Sequence, residues 1–132
     1  MSMYQHPGNR PIFLSLLKFR FPLNAWLSAG HRLFGLALFI SLLGYLALLN
    51  LTLFNATVTL DGIRDHWILL CLHSAFWISI SFHWLTGLRH LLAEHFTQPK
   101  LYQLINSKHA SQAVLVCWIL LSFWILQEVW LS

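Results

Sequence analysis

The chain has 132 residues, a length that suits one domain. It is 58% hydrophobic and only 9% charged, against roughly 25% charged residues in an ordinary soluble domain, and that balance excludes a water-soluble globule. The net charge of +4 calls for no nucleic-acid partner, because membrane topology accounts for where the positive residues lie. The N-terminal segment carries Pro7, Pro11 and Pro22 and lacks the short apolar core and small-residue cleavage site of a signal peptide. No internal repeat, low-complexity tract or soluble domain is visible, and residues 1–132 read as a single membrane domain.

Three segments suit a hydrocarbon core of about 30 Å, which takes roughly 20 apolar residues in a helix. No charge falls between Arg32 and Asp61, and residues 33–54 are almost wholly apolar. Residues 67–88 again contain no Lys, Arg, Asp or Glu. A shorter apolar run, 113–126, is extended past Gln127-Glu128 by Val129, Trp130 and Leu131. The expected fold is therefore all-α and integral to the membrane, with three spanning helices near 25–50, 66–92 and 110–131.

The basic residues orient these helices. Arg10, Lys18, Arg20 and Arg32 lie ahead of or just inside the first, and Arg89, Lys100 and Lys108 follow the second. The opposite side has only Arg64, between Asp61 and Asp65. Seven against one places the N-terminus in the cytoplasm by the positive-inside bias. Trp26 and Trp84 then mark the cytoplasmic boundary, and Trp67 and Trp130 the outer one. Cys71 and Cys117 fall inside helices without paired spacing and read as buried free thiols.

Two polar stripes interrupt the apolar helices. Ser28, His31, Arg32 and Gly35 fall at offsets 0, 3, 4 and 7 in the first helix, which is one face at 3.6 residues per turn. His83, Gly87, His90 and Glu94 fall at offsets 0, 4, 7 and 11 in the second. The helices are antiparallel and both stripes lie at the cytoplasmic end, so they are expected to converge. Ionisable groups at such depth cost about 2.5–3.5 kcal/mol for Arg and face protein, cavity or cofactor. Arg89, His90 and Glu94 are near enough to the headgroups to read as interfacial. His83 lies six residues, roughly 9 Å, deeper than Arg89. A helix–helix hydrogen bond, a proton relay and a haem ligand all remain open for it. Gly87, one turn on, offers either a close approach for a flat macrocycle or a packing contact. His31 and Arg32 would suit the propionates of such a macrocycle, and Ser28 a ligand carbonyl. His73 reads as a structural polar residue, and His6, His66, His95 and His109 carry no assigned role.

The segment RPIFLSLLKFRFPLNAWLSAGHRLFG and the later HWLTGLRH resemble the two signatures of the cytochrome b membrane-anchor family of succinate dehydrogenase. The first is an Arg-Pro followed at a fixed distance by Ser-x-x-His-Arg, here Arg10-Pro11 and Ser28 to Arg32. The second is a His followed by Gly-x-Arg-His, here His83, Gly87, Arg89 and His90. The chain departs from the pattern at Phe34, where a Ser or Thr is usual, and at Glu94, where an Asp is usual and the charge is kept. The resemblance implies His83 as an axial ligand of a haem b, with the other ligand from a second small anchor subunit. It implies His31 and Arg32 at the haem propionates, and Ser28 and Arg32 at a ubiquinone site. It also implies an iron–sulfur subunit and a flavoprotein as partners, with the dicarboxylate site on the flavoprotein and not on this chain. The setting implied is the bacterial inner membrane rather than the mitochondrial one. Three rival expectations stand beside it: a fumarate reductase anchor, a haem-free membrane protein with intramembrane histidines, and a self-contained cytochrome ligated by His83 with His31 or His73.

Overall fold

The structure is a computed structural model that describes residues 21–55, 57–96 and 98–131. Arg10-Pro11, Lys18, Arg20 and His6 therefore lie outside the described residues. Helix α1 spans Leu23–Phe54, the single turn α2 Leu60–Ile63, α3 Trp67–His95, α4 Pro99–Ile105 and α5 Lys108–Leu131. Among the described residues α1, α3 and α5 are long and apolar enough to cross a membrane, so the protein is multi-pass and all-α.

Prolines open α1 and α4, and side-chain caps open α3 and α5. Pro22, which cannot donate a backbone N–H, stands in an extended conformation ahead of α1. His66 Nδ1 accepts the Ile68 N–H at 3.3 Å to cap α3. Pro99 opens α4, and the Ser107 hydroxyl accepts the Ala110 N–H at 3.1 Å at the start of α5. The helices outrun the sequence expectation by several residues at the end of α1 and of α3, because the apolar pattern sets what lies in lipid, whereas caps set where the helix stops.

Helix α3 is the hub, packed against α1 on one side and α5 on the other. Its interior inverts that of a soluble bundle. Leu27 and Phe82 are the buried hydrophobic residues among those described, whereas Ser41, Ser74, Ser79, Thr86, Arg89 and Ser111 are buried polar ones. Lipid tails are as apolar as leucine, so close approach and interhelical hydrogen bonds hold such helices together. Gly44 faces the Leu72 side chain, and a Cβ on Gly30 would come within 2.9 Å of the Phe82 ring. Trp130 Nε1 donates to Ser74 Oγ at 3.0 Å, and Trp118 Nε1 to the Ile78 carbonyl at 3.2 Å, joining α5 to α3. Phe34, the first departure from the family pattern, closes a three-helix aromatic cluster. Its ring lies 4.5 Å from Phe82 and 5.2 Å from Trp118.

Cys71 and Cys117 are exposed on the outside of the bundle, which corrects their reading as buried thiols. Periodicity placed them inside helices, but their faces turn away from the other two.

Candidate functional site

The two polar stripes meet. The rings of His31 on α1 and His83 on α3 stack with centroids 3.9 Å apart and planes 15° from parallel. His90 stands edge-on to His31 at 5.7 Å. Two glycines make room for this pair. A Cβ on Gly35 would lie 3.0 Å from His83 Cε1, and one on Gly87 3.4 Å from His31 Cε1. Gly35 is therefore the tighter cradle, and it cradles the His83 ring. Gly87, the glycine that sequence spacing set beside His83, faces His31 at ordinary contact distance.

Hydrogen bonds fix both ring tautomers. His83 Nδ1 lies 3.2 Å from the His31 carbonyl oxygen, which can only accept, so Nδ1 carries the proton and Nε2 the lone pair. Thr86 Oγ1 donates to the Phe82 carbonyl at 2.7 Å. It is thus left to accept from His31 Nδ1–H, also at 2.7 Å. In the neutral ring His31 Nε2 is likewise an acceptor.

This chemistry suits an iron ligand. A metal-binding imidazole almost always donates its other N–H to a carbonyl or carboxylate, which fixes ring orientation, and His83 has that arrangement. It suits one axial position only. Two trans ligands approach an iron from opposite sides with their nitrogens facing each other, whereas His31 and His83 lie side by side. His73 is no substitute. Its Nε2 accepts the Trp77 indole N–H at 3.0 Å and its Nδ1 is bonded to the Tyr45 hydroxyl. It also sits ten residues, about 15 Å of helix rise, from His83. The geometry is therefore against a cytochrome with both ligands in this chain.

Ser28 is half-buried and Arg32 exposed, both on the same end of α1 as His31. Among the described residues neither side chain makes a hydrogen bond or ion pair, so both remain available to a ligand. Glu94 is exposed near the end of α3.

Arg89 departs from its interfacial reading. It is 7% exposed, with Nε donating to the Ile105 carbonyl at 3.0 Å and Nη2 to Asn24 Oδ1 at 3.0 Å and Asn106 Oδ1 at 3.4 Å. Asn24 Nδ2 donates to the Asn106 carbonyl at 2.9 Å, and the buried Ser111 hydroxyl donates to Asn24 Oδ1. One guanidinium thus ties α1, α3, the α4–α5 junction and α5 together directly below the histidine pair. Asn24, Asn106, Ser111 and Thr86 were not singled out by sequence reasoning. The available signal was their polarity at helix ends or within an apolar helix.

Residues 6–126 match the family model described as succinate dehydrogenase/fumarate reductase transmembrane subunit. A curated relative from Coxiella burnetii, named succinate dehydrogenase cytochrome b556 subunit, is 39% identical over 92 residues, covering 64% of this chain and 70% of the relative. With the match running through all three spanning helices and both histidine stripes, the chain belongs to the succinate dehydrogenase/fumarate reductase transmembrane-subunit family.

Proposed function

We propose that this chain is the haem-carrying anchor of a succinate:ubiquinone oxidoreductase. His83 holds one axial side of a haem b, and Ser28 and Arg32 meet ubiquinone. The observation that carries the reading is the His83 tautomer, with Nδ1–H bound to the His31 carbonyl at 3.2 Å and Nε2 left as a lone-pair donor. The cytochrome b556 name of the relative supports it. A second small anchor subunit would complete the iron's ligation, since His31 stacks beside His83 rather than facing it.

The basic end of the bundle, with Arg32, Lys100 and Lys108, faces the cytoplasm across a bacterial inner membrane. An iron–sulfur subunit delivers electrons there, and a flavoprotein carries the succinate site. When bound, the haem supplies a one-electron acceptor and donor of tuned potential. Quinone reduction takes two electrons and two protons, so the ring must rest near both the electron source and water. The Ser28 hydroxyl and Arg32 guanidinium donate to its carbonyl oxygens, orienting the ring and stabilising the negative charge that develops on them. Arg32 is the natural partner of a propionate; His31 meets one only as the imidazolium, because Thr86 already takes its Nδ1–H. Quinol-driven fumarate reduction would use the same residues, and the name of the relative is what supports the succinate-oxidising direction.

The test is His83→Leu in the co-expressed complex. The reduced-minus-oxidised bands of a low-spin b-type haem should fall or broaden to high spin while the subunits still co-purify. An unaltered bis-histidine spectrum would refute the assignment.

A further inference from the structure

At the end of the bundle away from the histidine pair, a crevice of about 590 Å³ opens between the spanning helices. Tyr45 from α1, His73 from α3 and Glu128 from α5 reach its wall, with Arg64 and Asp65 at the turn before α3. None of these residues has a part in the haem or quinone chemistry above, and they stand independently of it.

The hydrogen bonds leave one donor without an acceptor. An indole N–H can only donate, so the Trp77 bond at 3.0 Å makes His73 Nε2 an acceptor. The His73 ring is therefore neutral with its proton on Nδ1, and that proton is donated to the Tyr45 oxygen. The Tyr45 O–H is then left over. Its oxygen is engaged but its proton has no protein acceptor among the described residues. A phenol in this state offers its proton to an acceptor oxygen from outside the chain.

Position and charge narrow what supplies it. His73 lies six residues, about 9 Å of rise, into α3, near the boundary between the headgroup layer and the hydrocarbon core. The walls include Leu48, Leu69 and Leu70, which suit acyl chains. The polar lining carries both signs. The Arg64 guanidinium pairs with Asp65 at 3.4 Å and both are largely exposed. Glu128, which accepts the Trp124 N–H at 3.1 Å, adds a second carboxylate to the lining. One cation beside two carboxylates complements a phosphate linked to an ammonium. A neutral quinone ring would use none of these charges.

We propose that the outer crevice is a binding site for a zwitterionic aminophospholipid of the outer leaflet. The Tyr45 hydroxyl donates to an acyl-ester carbonyl, Arg64 meets the phosphate, and Asp65 and Glu128 meet the ammonium. The Trp77–His73 pair acts at one remove, by fixing the tautomer that turns the Tyr45 proton toward the lipid.

The test uses the whole purified complex, washed in detergent. Phosphatidylethanolamine retained per mole of complex is quantified by mass spectrometry before and after add-back of that lipid. Tyr45→Phe removes only the donor, and retention should fall about two- to tenfold, the range for one lost hydrogen bond. Trp77 lies beside the crevice, in an adjoining cavity that shares His73, Glu128 and Val129 with it, and Trp77→Phe, which keeps an aromatic ring there, should produce a similar loss. It frees His73 Nε2 to carry the proton, so that Tyr45 can donate to Nδ1 instead of outward. The double variant should lose no more than either alone, with haem spectrum and quinone reduction at wild-type levels throughout. Unchanged retention in Tyr45→Phe would overturn the proposal, and so would loss of a bound quinone with phospholipid unaffected. Loss in Tyr45→Phe but not in Trp77→Phe would overturn the tautomer relay.

Discussion

Replacing Arg89 by methionine separates a structural guanidinium from an interfacial one. The side chain is 7% exposed and donates three hydrogen bonds, two at 3.0 Å and one at 3.4 Å. A hydrogen bond to a charged group is worth about 1.5–3 kcal/mol, and the long third contact adds little. Methionine fills similar volume but leaves the Ile105 carbonyl and Asn106 Oδ1 without this donor. Asn24 Oδ1 keeps the Ser111 hydroxyl. Against that loss stands the relief of no longer desolvating a cation. The balance is a destabilisation of about 2–4 kcal/mol, or a melting temperature lower by roughly 10 °C at this size. Thermal unfolding of the detergent-solubilised complex, followed by circular dichroism, measures it. Arg89→Lys keeps the charge without the fork, and should recover part of the loss but not all. A melting temperature for Arg89→Met within about 2 °C of wild type, too small a shift for a buried clamp, would refute the reasoning and mean that water already serves these groups.

Ser28→Ala should lower quinone reduction by several-fold to about a hundredfold, while haem content and succinate oxidation with an artificial acceptor persist. Equal retention of both activities would remove Ser28 from the quinone site. Gly35→Ala sets a Cβ 3.0 Å from His83 Cε1 and 3.1 Å from Nδ1, so the ring must shift by a few tenths of an ångström. Haem occupancy per complex should fall or its spectrum change while helicity is kept. Thr86→Val keeps the shape and removes the acceptor of His31 Nδ1–H, which should cost about 1–3 kcal/mol of thermal stability, and Thr86→Ser should restore most of it.

Depth was legible in the sequence; orientation was legible only where a pattern repeated. Hydropathy placed three spanning segments because lipid demands long apolar runs. The stripes of Ser28, His31, Arg32 and Gly35 and of His83, Gly87, His90 and Glu94 were readable because four polar or small residues per stripe recur at helical spacing. Arg89 shares the buried face of α3 with Ser79, Phe82 and Thr86, a face whose small hydroxyls and single ring do not announce a clamp. Its position along the chain suggested an interfacial group, whereas its partners, Asn24 and Asn106, are 65 and 17 residues away. Nothing local announces such pairs. Thr86 was hidden for a different reason. A threonine in an apolar helix ordinarily spends its hydroxyl on a carbonyl one turn back. This one does so too, through its proton, and its oxygen is left to take the His31 N–H.

The stacking of His31 on His83 bears on why a chain of this size works only as part of something larger. Two histidines converging from antiparallel helices are the obvious means of clamping an iron within one bundle. The contact at 3.9 Å with nearly parallel planes puts both on the same side, and Gly35 and Gly87 hold that arrangement by letting each ring sit against the opposite backbone. Separating the rings to admit an iron between them would break the His83 bond to the His31 carbonyl and draw His31 off Thr86. The polar groups around this histidine pair are thus already bonded to one another, and on the proposed function a haem held by His83 would need room outside the His31–His83 contact. On the proposed function, completing the iron's ligation, covering the haem and completing the quinone site are one requirement, which a second anchor subunit would meet.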